Sequence, residues 1–464
     1  MCEWRAVYTA VYRPLGEEGH GIHGGKVCYS QGVPVGVATL NSHTQKVGRR
    51  CGETRTARVC VEAGRIALME GSTKLPASKP EYDIAQMSIA LVSGLTLAIT
   101  ALFLCVAPLT GNIAGARDFV VYWATGQQLV HHASPYDVDA MMRIERGAGL
   151  PGVYGALFMR NPPWALAVTY PLGLIGVRLG ALLWSLVLLS CLWGSVRMVW
   201  QMHGRPSKLL NFLGYSFAPA LVCLIVGQTS LFALLGLVLF LRLHRTRPFL
   251  AGVSLWLCAL KPHLFLVFGV VLLMWVVVSR SYKVLLGALT ALATSCAITW
   301  LLDPTAWADY SHMMRTYGIE REFIPCWSVV LRLWVRPETT LLQYLLLAPG
   351  CVWAVVYYWK RRQSWDWLTD SSGLMLVSIL AAPYCWVFDQ AVAIPALLHG
   401  AYGTRSRVLL AALALASLGI EVALVCGIKL PSAFFLWTAP TWLVWYVLAD
   451  AGGPSPFRGV GRDR

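Results

Sequence analysis

The sequence predicts an all-α polytopic membrane protein, and three observations carry that expectation. Hydrophobic residues make up 57% of the chain and charged residues 13%, with a mean hydropathy of +0.58, which leaves too little polar surface to cover a soluble fold of 464 residues. The apolar residues fall in long runs that begin at Ser88, whereas residues 1–86 are polar and mixed. The basic residues, 38 Lys and Arg against 23 Asp and Glu for a net charge of +15, sit in short clusters between those runs. That is the pattern of cytoplasmic loops under the positive-inside rule, and it removes the need for a nucleic-acid partner.

Residues 1–86 lack the charged start, apolar stretch and cleavage site of a signal peptide. Cys2, Cys28, Cys51 and Cys60 lie at irregular spacings that fit no familiar zinc pattern. The expectation here is a disordered cytoplasmic tail, or a start assigned upstream of a natural first residue at Met87. A membrane domain then spans residues 87–450, and residues 451–464 form a second cytoplasmic tail. The 13 cysteines include no CxxC pair, and several lie inside apolar runs where a thiol packs as a small hydrophobe. Neither a disulfide framework, a metal site nor a cofactor is expected.

Ser88–Thr110 is long enough for one crossing, since a membrane helix needs about 20 apolar residues. With the basic tail inside, the segment from its end to about Pro163 lies outside. The runs that follow are shorter and broken by Gly and Pro: Pro163–Ile175, Leu179–Trp200, Leu209–Val226, Leu231–Leu243, Phe249–Leu260, Leu264–Val278, Val284–Leu302, Thr340–Trp359, Gly373–Pro383, Ala391–His399, Val408–Cys426 and Ala433–Leu448. The basic clusters around Arg197, Arg245, Arg280, Arg361, Arg405 and Arg458 all fall inside if Pro163–Ile175 does not cross on its own, as a re-entrant or interfacial helix would not. About twelve crossings then alternate. In that topology the polar motifs share the outer side: RDF at Arg117, RNPP at Arg160, GQTS at Gly227, KPH at Lys261, the loop Asp303–Cys326 and PYCWVFDQ at Pro383. They could converge on one outward-facing cavity.

Within these motifs Asp118 is the foremost candidate. A carboxylate at a helix exit either marks the membrane interface or, half-desolvated in a cavity, takes a proton from a hydroxyl as a general base. Lys261 and His263 interrupt a strongly apolar stretch, where an ionisable group is costly and suggests function. A cation there suits a lipid phosphate, with Arg160 as a second candidate, although a turn with a snorkelling lysine is the simpler alternative. Gln228 either hydrogen-bonds sugar hydroxyls or merely sits in a turn. Asp389, beside Tyr384, Trp386 and Gln390, either contacts sugar or caps a loop. His131 and His132 read as surface residues, because no companion carboxylates support a metal site.

The ordered set of motifs resembles glycosyltransferase family 87. An apolar helix is followed by DF-x-x-Y-W-x-x-G, SPYD, a Pro-Pro motif opening an apolar segment, GQ before an apolar helix and basic turn, and AG…KPH. The match runs from about Met87 to Pro395 and is densest between Asp118 and His263. The family is similar to the polyprenol-phosphate-mannose-dependent mannosyltransferases. The resemblance implies a C-type glycosyltransferase fold, an extracytoplasmic active site, a polyprenyl-phosphate sugar donor, a lipid or glycan acceptor, and Asp118 as base. Tyr122, Tyr136, Asp137, Gln228 and Lys261 fall on its recurring positions. Asn161 departs from it, standing where the family commonly has an aromatic residue, and His263 is at a variable position. Implied chemistry is inverting transfer of a hexose, mannose favoured, with Lys261, Arg160 or His263 on the departing phosphate. A transporter or lipid flippase is the competing class, since it too would have broken helices and buried polar residues. A structural subunit of an assembly complex is a third reading.

Overall fold

The structure is a computed structural model and describes residues 84–109, 117–150, 157–318 and 322–451. The two expected tails, residues 1–86 and 451–464, fall almost entirely outside the described residues. All described regular structure is helical, in one unit, Tyr82–Arg464.

Four helices are long and apolar enough to cross a membrane: Val177–Met202, Tyr282–Leu302, Thr340–Arg361 with its 3-10 start, and Arg407–Val425. A bent pair, Lys208–Tyr215 and Ala218–Val226, makes a fifth if it is one span. The long helices expose rows of large apolar side chains, among them Leu182, Leu186 and Leu189, Leu286 and Leu289, and Val352 and Val356. Such rows would be a liability in water and suit a lipid face.

Beside these four or five, against the expected twelve or so crossings, the other apolar helices among the described residues are shorter. Ser230–Leu243, Pro248–Cys258, Pro262–Val278 and Trp367–Ala381 are apolar but have 10–17 residues, and at 1.5 Å per residue a helix of 11 reaches only about 16 Å. The shortening occurs at breaks. Helices Ala218–Val226 and Ser230–Leu243 part at Gly227–Thr229, Pro248–Cys258 and Leu266–Val278 part around Lys261, and Trp367–Ala381 gives way to a 3-10 turn, Val387–Ala393, that carries Asp389. Irregular backbone at membrane depth is tolerated where protein buries it. Here the breaks carry the polar motifs.

Pro163–Ile175 is no continuous helix. It divides into Pro163–Ala165, Leu166–Thr169 and Tyr170–Leu174. Helix Tyr282–Leu302 holds its first turn, with Thr299 Oγ1 donating to the Pro163 carbonyl at 2.8 Å and Ser295 Oγ to that of Trp164. Helix Arg117–Val130 lies on its far end at backbone contact: a Cβ on Gly126 would meet the Gly173 nitrogen at 2.6 Å. Trp123 and Gln127 lock the pairing by donating to the carbonyls of Ile175 at 2.9 Å and Gly173 at 2.6 Å. Small residues permit similar approach between helices Pro248–Cys258 and Tyr282–Leu302, where a Cβ on Gly252 would meet the Ala288 nitrogen at 2.8 Å.

Candidate active site around the Gly227–Ser230 turn

The polar motifs meet at the turn Gly227–Ser230. Gly227 ends helix Ala218–Val226 with φ +81°, the left-handed conformation that favours glycine, and a Cβ there would stand 2.7 Å from that of Phe119. Trp184 clamps the turn by donating its indole N–H to the Gly227 carbonyl at 2.7 Å. The next three residues then face three different partners.

Gln228 reaches the first motif. Its Nε2 donates to Asp118 Oδ2 at 2.7 Å, and its Oε1 accepts from the Tyr122 hydroxyl at 2.9 Å. Asp118 lies in the first turn of helix Arg117–Val130, almost buried, and its Oδ1 accepts from Arg117 Nε at 3.0 Å. Burial, and then the adjacent Asp118, push the Tyr122 phenol well above its ordinary pKa, which keeps it a donor. Each carboxylate oxygen has further accepting capacity, so the two bonds orient Asp118 and still leave room for a hydroxyl proton.

Thr229 and Ser230 reach the others. Asn161 Nδ2 donates to the Leu260 carbonyl at 3.0 Å and approaches Thr229 Oγ1 at 3.5 Å, joining the RNPP and KPH motifs to the turn. Ser230 Oγ donates to Asp389 Oδ1 at 2.8 Å. The same oxygen takes Lys261 Nζ at 2.6 Å, and Asp389 Oδ2 accepts the Trp386 N–H at 3.0 Å. Lys261 and Asp389 are both buried, and the ammonium also lies 4.9 Å from the Phe388 ring centroid. Expected as separate phosphate and sugar ligands, they form one buried ion pair.

The remaining predicted residues divide. Arg160 pairs with Glu322 at 2.8 Å and lies 5.2 Å over the Phe158 ring, but its Nε is buried with no hydrogen-bond partner. His263 stacks on Tyr384 at 3.8 Å, and its Nε2 likewise has no partner. Tyr136 packs edge-on against Tyr310 at 5.5 Å with its hydroxyl unmet, while Tyr310 reaches the Arg160 carbonyl at 3.5 Å. Burial raises both phenols. Buried polar atoms usually find partners, and three of the fourteen buried side-chain atoms without one among the described residues lie on Arg160, His263 and Tyr136.

Asp137 is not brought to the cluster. It is exposed and caps helix Val138–Gly147, accepting from the backbone N–H groups of Asp139 at 3.1 Å and Ala140 at 3.0 Å. An aspartate one residue before an apolar-periodic helix is a capping signal, and capping is the role its contacts show. His131 and His132 are exposed, as a surface reading expects. Asn161, Thr229 and Ser230 are the residues sequence reasoning passed over. Asn161 was marked only as a departure from a pattern, and nothing local distinguishes the hydroxyls of a GQTS turn from solvent-facing ones.

Two cavities, of 520 and 450 Å³, are lined by other residues. No set of three or more His, Cys, Asp or Glu side chains suited to hold a metal ion occurs among the described residues.

In comparison with known proteins, the family model of glycosyltransferase family 87 matches residues 158–383, just under half of the chain. The matched region contains Arg160, Gln228, Lys261 and His263. It begins after Asp118 and ends before Asp389, so these two join it through the contacts of Gln228, Ser230 and Lys261. No curated protein and no solved structure matches the chain.

Proposed function

We propose that this chain, a glycosyltransferase family 87 protein over residues 158–383, moves a hexose from a polyprenyl-phosphate donor to a lipid or glycan acceptor at the extracytoplasmic face of the membrane. The observation that carries the reading is the bond from Gln228, inside the family region, to Asp118 outside it. A carboxylate oriented by two donors and shielded from water is equipped to take the proton of an acceptor hydroxyl. The deprotonated oxygen attacks the anomeric carbon opposite the polyprenyl phosphate, the bond to the phosphate oxygen breaks, and configuration inverts. Mannose is the favoured sugar, on the strength of the family resemblance alone.

The unmet Nε of Arg160 and Nε2 of His263 make these two the leading groups to meet the departing phosphate. Lys261 already has a carboxylate partner, and its role is to hold Asp389, and with it Ser230, in place. Tyr122 and Tyr136 offer hydroxyls to the sugar.

The experiment that tests this reading compares transfer of labelled sugar from a polyprenol phosphate by membranes carrying the wild type or Arg160→Lys. Lysine keeps the charge and loses the Nε donor, so the reading predicts a fall of about 10- to 100-fold in kcat, the scale of one transition-state donor. Unchanged turnover would remove Arg160 from the phosphate site. The competing transporter reading draws on the broken helices, and would predict sugar or lipid movement without glycoside formation in the same membranes.

A further inference from the structure

A second polar assembly lies apart from the motif cluster. Three helix connections meet there: 244–247, 279–281 and 362–366. His244, Arg245, Arg280 and Trp365 on these connections, with Lys283 and Trp367 in the first turns of the helices that follow, line the 450 Å³ cavity. These connections carry basic clusters that the positive-inside pattern assigns to the cytoplasmic side.

The chemistry of the lining is one-sided. Arg245 is bonded to Asp366 at 2.8 Å, and the other Asp366 oxygen accepts from Thr369 at 3.2 Å, so the acidic group in the vicinity is engaged. Arg280 and Lys283 are exposed and form no ion pair among the described residues. The indole N–H groups of Trp365 and Trp367 are buried without a hydrogen-bond partner, and Trp367 is only 1% exposed. An indole N–H donates and cannot accept. A cavity in which the exposed cations Arg280 and Lys283 have no carboxylate partner among the described residues fits an anion. Beside it the surface is apolar, with Phe249, Val277, Val278 and Tyr282 exposed.

We propose that this cavity binds the phosphate of an anionic phospholipid headgroup, with Arg280 and Lys283 supplying the charge and the acyl chains lying along the neighbouring apolar surface. Basic pockets between membrane helices on the cytoplasmic side are suited to such headgroups. The site is independent of glycosyl transfer and does not depend on that assignment.

The test uses the purified full chain in phosphatidylcholine nanodiscs, with phosphatidylglycerol replacing part of the lipid in one arm and inorganic phosphate added in another. Phosphatidylglycerol is expected to raise the Tm and to be enriched in the lipid that stays bound. In the double variant Arg280→Ala/Lys283→Ala the enrichment should fall about tenfold. Lys360→Ala/Arg362→Ala, exposed cations outside the cavity, should leave it intact. No preference for phosphatidylglycerol in the wild type, or a preference that survives the double variant, overturns the proposal. So does equal loss in the Lys360 and Arg362 control, which would mean unspecific surface charge. An equal Tm rise with inorganic phosphate would make the ligand free phosphate and overturn the lipid assignment.

Discussion

Burying Lys261 and Asp389 together is a commitment the rest of the site depends on. Each ion is costly to take out of water and is stable there only because the other is 2.6 Å away. Lys261→Met should therefore destabilise the protein by about 3–5 kcal/mol, because it leaves Asp389 uncompensated. Lys261→Met/Asp389→Asn should recover much of that loss, and thermal unfolding of the single and double variants measures the coupling; a Lys261→Met protein as stable as the wild type would show that the pair does not bear on folding. Glu145 presents the opposite case. It is 1% exposed, its Oε2 accepts the Leu157 N–H at 3.2 Å, its Oε1 has no partner, and burial raises its pKa from 4.5 to about 7. A carboxyl whose pKa is raised on folding stabilises the fold below its unfolded value and loses that contribution as pH climbs through the folded one. The wild-type Tm, taken relative to Glu145→Gln, should accordingly fall between about pH 4.5 and 7 and level off above. A difference that stays flat across that window would contradict the buried, unpaired state of Glu145.

At the scale of elements, the site is made by breaks in helices, and a glycine makes the central one. Gly227→Ala meets both a left-handed φ and the Phe119 Cβ, so the turn must move. The expected cost is about 1–3 kcal/mol in stability, with a larger loss of transfer because Gln228 leaves Asp118. Full activity with lowered Tm would separate the turn from the chemistry. Much of this element structure is legible in sequence. DF-x-x-Y-W-x-x-G stands out in the sequence, but its contacts, Phe119 against Gly227, Tyr122 on Gln228, Trp123 on Ile175 and Gly126 on Gly173, come only with the fold. The partners are less legible. Lys261 and Asp389 are 128 residues apart and read as two ligands because only tertiary packing brings them together. The number of full crossings is hard to read for a related reason: an apolar run records burial in lipid or in protein alike, and helices such as Pro248–Cys258 are shorter than a full span needs.

For the whole molecule, the region that matches glycosyltransferase family 87 is joined through Gln228 to an upstream carboxylate, and the proposed topology puts both on the outer face. The side is testable by chemistry. In a background cleared of native cysteines, His132→Cys should react with a membrane-impermeant maleimide on intact cells and Arg405→Cys only after permeabilisation. The reverse pattern would turn the site to the cytoplasm. The central claim, that Asp118 is the base of a glycosyl transfer, is tested most directly by Asp118→Asn in membranes supplied with labelled polyprenol-phosphate mannose. The exchange keeps size and places one amide donor beside Gln228 and Arg117, both already donors to Asp118. The account predicts loss of transfer by at least about 100-fold, the lower range of general-base catalysis, with donor binding and Tm little changed. Transfer within a few-fold of wild type in a correctly folded Asp118→Asn protein would contradict it.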